Sequence, residues 1–118
     1  MSAVTIYHNP RCSKSRQTLA LLEENGITPN VVLYLDDTPD EKTISTLIKK
    51  LGLAGAHDLL RVKESDYRDQ GLSPDSSDAD IIRAMTQAPK LIERPIVVKG
   101  RKAVIGRPPE AVLALIRS

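Results

Sequence analysis

The sequence predicts an α/β fold: a mixed four-stranded sheet interrupted by a helical insertion. Three observations carry that prediction. Residues 3–35 read as strand–helix–strand, residues 36–93 read as a run of helices, and residues 96–116 read as a hairpin followed by a helix.

The elements follow in order. Val4-Thr5-Ile6-Tyr7 is short and β-rich, as a buried strand requires. Asn9-Pro10 breaks the strand, and Ser13 or Ser15 can cap a helix that runs through Leu19, Leu21 and Leu22 to a stop at Asn25-Gly26. Val31 to Leu35 is a second strand, so the unit favours a right-handed parallel crossover. Pro39-Asp40-Glu41 opens a helix with Ile44, Leu47, Ile48 and Leu51 on its apolar stripe, ending near Gly52. A short helix from Ala54 to Leu60 follows, and then one in DSSDADIIRAMTQ capped by Ser76, Ser77 or Asp78. Ile96-Val97-Val98 and Ala103-Val104-Ile105 flank the turn signal Lys99-Gly100-Arg101-Lys102. Pro108-Pro109-Glu110 starts a last helix, with proline where its missing N–H costs least and with Val112, Leu113, Leu115 and Ile116 on the apolar face. The order βαβ, insertion, ββα is that of a thioredoxin-like fold, with residues 1–118 as a single domain and the insertion at about 36–93. Pro95 stands directly before the third strand, where such folds carry a cis-proline loop near the active cysteine.

Composition narrows the function classes. A chain of 118 residues, 41% hydrophobic and 27% charged, can bury a core without disulfides or a structural metal. With no Phe or Trp and three Tyr, that core is aliphatic, and there is no platform for stacking bases. A net charge of +2 adds no electrostatic case for a nucleic acid. No apolar run is long enough for a membrane span, and MSAVTIYHNP carries no apolar leader segment, so the expectation is a cytoplasmic protein without a membrane partner. A single cysteine excludes an internal disulfide and a multi-cysteine zinc site.

That cysteine lies in HNPRCSKSR, residues 8–16. Lone cysteines are often small buried hydrophobes. Cys12, however, falls in a turn between a strand and a helix start, beside Arg11 and Lys14. Helix N-termini carry unpaired N–H groups and partial positive charge, and both favour a thiolate or a bound anion. A protonated His8 would add to this if the Asn9-Pro10 turn folds it onto Cys12. Ser15 takes the place of the second cysteine of a CxxC motif, so any redox cycle at Cys12 needs an external thiol. Arg94 and Arg107 each precede a proline, which fixes where their side chains leave the chain, and Arg61 ends HDLLR. Arginine suits a multidentate grip on a tetrahedral oxyanion. A thioredoxin-like order returns the Pro95 loop to the Cys12 loop, which makes Arg94 a candidate on topology.

IYHNPRCSKSR, LLR, ERPIVV and GRPPE, in that order, resemble the glutaredoxin-dependent arsenate reductase (ArsC) family over nearly the whole chain, and the length resembles its compact chromosomal branch. The resemblance implies that Cys12 is the nucleophile, that His8 favours its thiolate, and that Arg61, Arg94 and Arg107 hold the oxyanion. Asn9, Ser15 and Arg16 fall in the supporting loop. The implied reaction starts with thiolate attack on arsenate. Glutathione then enters as co-substrate, with glutaredoxin as partner protein, and arsenite leaves. No bound cofactor or metal is implied, and the expected state is a monomer.

Two alternatives use the same loop. One is an Spx-like transcriptional regulator that binds RNA polymerase. The other is a glutathione-linked thiol oxidoreductase with another substrate. Arg61 in LLR and Arg107 in GRPP match the reductase pattern. Three further features read as plain surface: His57 on a helix, the acidic run Asp36, Asp37, Asp40 and Glu41, which lacks the glycine turn of a calcium loop, and the charged hairpin tip Arg101-Lys102.

Overall fold

The computed structural model describes residues 3–117. The reading of Met1 and Ser2 as part of a leaderless start lies outside them. The chain divides into two compact units, one running to Asp37 and resuming at Arg94, the other Thr38–Glu93.

The first unit is built on a four-stranded sheet. Strand β1 (Val4–Tyr7) pairs in parallel with β2 (Asn30–Val32) and antiparallel with β3 (Ile96–Lys99), and β3 pairs antiparallel with β4 (Lys102–Ile105). The order β2-β1-β3-β4 with this mixed polarity is the thioredoxin-like arrangement that the sequence order predicts. Side chains alternate along β1, so Val4 and Ile6 share one face. They pack with Val97 of β3, Leu22 of helix α1 (Ser13–Glu24), and Val112 and Leu115 of helix α5 (Val112–Ile116). Each such side chain, fully buried, contributes roughly 1.5–3 kcal/mol. With Leu19, Leu21, Ile27, Val104 and Ile116 around them, they form the aliphatic core that the missing Phe and Trp require.

Three local expectations are corrected. The second strand stops at Val32 because the chain turns there: the amides of Asp36 and Asp37 both donate to the Leu33 carbonyl, and Tyr34 is buried. Neither Ser13 nor Ser15 caps α1. Its N-cap is Cys12 itself, in extended conformation and without a side-chain capping bond. The last helix opens as a 3-10 turn, Pro109–Ala111, before α5. Between β3 and β4, Gly100 takes φ +61° at the first turn position, as a two-residue II′ hairpin demands. Arg94–Pro95 and Arg107–Pro108 are both cis.

In the second unit, α2 (Glu41–Leu51) is capped by Asp40, whose carboxylate accepts from the Thr43 amide, and ends at Gly52 in the left-handed region. Helix α4 (Asp78–Gln87) is capped by Ser77, one of the three residues expected there. Ile44 and Leu47 of α2, Ile81 and Met85 of α4, and Leu59 and Leu91 are buried. Helix α3 (Ser65–Asp69) buries no residue, so it offers no apolar period to read. Among the described residues no helix is long and apolar enough to cross a membrane.

Candidate active site

The loop after β1 is organised by one hydroxyl. The His8 amide donates to Val32 O at 2.8 Å, extending the parallel pairing by one residue. The chain then turns: the Cys12 amide donates to Asn9 O and the Arg11 amide to Asn9 Oδ1, each at 3.0 Å. Ser15, fully buried on the first turn of α1, accepts from the Asn9 amide at 3.0 Å and pairs with His8 Nδ1 at 2.6 Å. Arg16 Nη1 closes the outside of the turn on Pro10 O at 2.9 Å. Ser15 therefore ties the start of the HNPRC turn, His8 and Asn9, to the helix whose N-cap is Cys12.

The structure gives His8 a hydrogen-bond partner other than Cys12. Its ring is buried and its partner is Ser15. Burial, and then the positive charge of Arg16, hold its pKa below the ordinary imidazole value. When neutral, the ring has one nitrogen able to accept a hydroxyl proton, and the other carries the N–H. Positive charge at the sulfur comes instead from Arg107, whose Nη2 donates to Cys12 Sγ at 3.7 Å. Arg107 Nε donates to Arg94 O at 2.8 Å, so the guanidinium is held between the Pro95 loop and the cysteine. Helix α1 adds to this field: its first turn holds no acidic residue, and Lys14 and Arg16 stand on it.

His8, Asn9, Cys12, Ser15, Arg16, Arg94 and Arg107 all lie in the first unit, linked by this chain of hydrogen bonds. Arg61 lies in the second unit. Its guanidinium pairs there with Glu64 at 2.7 Å and Glu93 at 3.7 Å, and its amide donates to Leu91 O. His57 is exposed, and its Nε2 bonds to Ser76 O. Two contacts at the site are absent from the sequence reading. Ser15 Oγ pairs with His8 Nδ1, and the Gly106 amide, next to Arg107, donates to Pro95 O. A glycine directly before an Arg-Pro pair is the one signal that points to the second.

Residues 7–115 match the ArsC family. The chain belongs to the ArsC family. Among its relatives is the Escherichia coli K12 protein YfgD, 54% identical over 114 residues, or 96% of each chain. An arsenate reductase of Neisseria meningitidis serogroup A is 47% identical over 117 residues, 98% of this chain and 100% of the relative. In structure, the chain superposes on an arsenate reductase from Vibrio cholerae with a TM-score of 0.92 at 48% identity, covering 96% of this chain and 97% of that one. The thioredoxin-like fold described above is shared with that Vibrio cholerae structure.

Proposed function

We propose that this chain is an arsenate reductase with Cys12 as its nucleophile. One observation carries the reading. The chain's single thiol stands at the N-cap of a helix with a guanidinium 3.7 Å from its sulfur, which is a setting for a thiolate and for the oxyanion it attacks. Relatives named arsenate reductase, 46–47% identical over nearly the whole chain, supply the substrate.

In this reading the Cys12 thiolate attacks arsenic(V) and one oxygen leaves as water. A glutathione thiolate then completes a Cys12–glutathione disulfide, arsenic takes up the two electrons, and arsenite departs. The two thiols together supply the electron pair. Glutaredoxin with a second glutathione reduces the mixed disulfide and restores Cys12. The external thiols are required because no other cysteine exists to close an internal disulfide. Arg107 and Arg94, both in the unit that holds Cys12, bind the oxyanion. Arg107 and the α1 N-terminus stabilise the charge that builds on it. His8, Asn9, Ser15 and Arg16 hold the loop that aims Cys12. The test is arsenate-dependent oxidation of NADPH with glutathione, glutaredoxin and glutathione reductase present. The expected rate vanishes when either arsenate or glutathione is omitted. Turnover that persists without glutathione contradicts the reading.

A further inference from the structure

Gly106 is buried and directly precedes Arg107. Its amide donates to Pro95 O at 2.9 Å, and its carbonyl oxygen lies 3.4 Å from Thr18 Oγ1. A Cβ at this position would stand 2.6 Å from Thr18 Oγ1, 2.9 Å from Pro95 Cγ and 3.0 Å from Thr18 Cγ2. Close-packed interiors do not tolerate such approaches without movement. Thr18 has little room to yield, because it is fully buried and its hydroxyl donates to Lys14 O at 2.8 Å. It stands on α1, whose N-cap is Cys12. The missing side chain therefore lets the chain seat in a notch between α1 and the Pro95 loop, at the point where it delivers Arg107.

We propose that Gly106 is a positioning residue. By seating against Thr18 and Pro95 it sets how closely the Arg107 guanidinium approaches the Cys12 sulfur. The inference rests on the role given to Arg107 above, and its test is independent of arsenate. Iodoacetate and iodoacetamide alkylate the same thiolate but differ in charge. The ratio of their rates at one pH thus reports the positive charge beside the sulfur rather than the fraction of thiolate.

Arg107→Ala sets the scale and is expected to lower the iodoacetate-to-iodoacetamide ratio roughly three- to fivefold, the Coulomb effect of one charge a few ångströms away in a watery setting. Gly106→Ala is expected to lose most of that same factor while Arg107 is still present. Thr18→Ala combined with Gly106→Ala, which clears two of the three close atoms, is expected to recover it. Recovery of fold by the double variant where Gly106→Ala alone is unfolded would also support the notch. A folded Gly106→Ala with the wild-type ratio, a loss the double variant does not recover, a double variant that is also unfolded, or an unchanged ratio in Arg107→Ala would each overturn the inference. Absence of arsenate turnover in the wild type would defeat the proposed substrate and leave this ratio still readable.

Discussion

Arg107 Nη2 stands 3.7 Å from Cys12 Sγ although 95 positions separate the two residues. The same guanidinium donates through Nε to the Arg94 carbonyl, so its planar fork spans two loops at once. Arg107→Ala is expected to lower kcat/KM for arsenate by roughly ten- to a hundredfold, the range for one lost hydrogen bond to a charged group. Arg107→Lys keeps the charge but cannot span both acceptors and recovers only part. Steady-state kinetics in the coupled assay check this, and an unchanged kcat/KM in Arg107→Ala would remove the residue from the site.

Arg94→Ala separates side chain from backbone. The carbonyl that anchors Arg107 Nε is retained, while the Arg94 guanidinium is lost. The variant is expected to fold, by far-UV circular dichroism, and to lose at least about tenfold in kcat/KM for arsenate. Full turnover in that variant would assign oxyanion binding to the other arginines.

Ser15→Ala removes the shared hydroxyl from both His8 Nδ1 and the Asn9 amide. Leaving buried polar groups without partners costs roughly 1–3 kcal/mol. Urea unfolding is expected to show that loss, together with a lower kcat as the Cys12 loop loosens. A change below a few tenths of a kcal/mol would show that the hydroxyl is not holding the loop.

His8 makes stability depend on pH. Its pKa in the folded protein lies below the ordinary value of 6.5, so the unfolded chain binds this proton more readily. The stabilisation is complete above pH 6.5 and is lost as pH falls from there toward the depressed folded value. Urea unfolding at neutral pH and at about one unit below the ordinary histidine range is expected to show lower stability in acid. His8→Gln is expected to flatten that difference. An equal slope in the variant would place the pH dependence elsewhere.

The site was legible in the sequence where chemistry is local. HNPRCSKSR places the cysteine at a helix start, and the thioredoxin-like order brings the Arg94-Pro95 loop toward it, whereas Arg107 is pointed to only by the family resemblance. The thioredoxin-like order followed from the apolar runs at Val4–Tyr7, Ile96–Val98 and Ala103–Ile105, because a strand shows its burial in a few residues. A buried serine and a capping serine look alike in sequence until the partner is known, and the partner of Ser15, His8, lies seven residues back. The charge state of His8 depends on burial, which no local pattern reports. GRPPE shows the glycine but not its close approach to Thr18, which lies 88 positions away.

The central claim is that the Cys12 sulfur carries out the attack, and the most direct test is the intact mass of the protein after incubation with glutathione, with and without arsenate, and with no glutaredoxin present. The account predicts one glutathione adduct, formed only with arsenate, located on Cys12 and absent from Cys12→Ser. An unmodified Cys12 in the presence of arsenate, or an adduct that forms equally without it, would contradict the account.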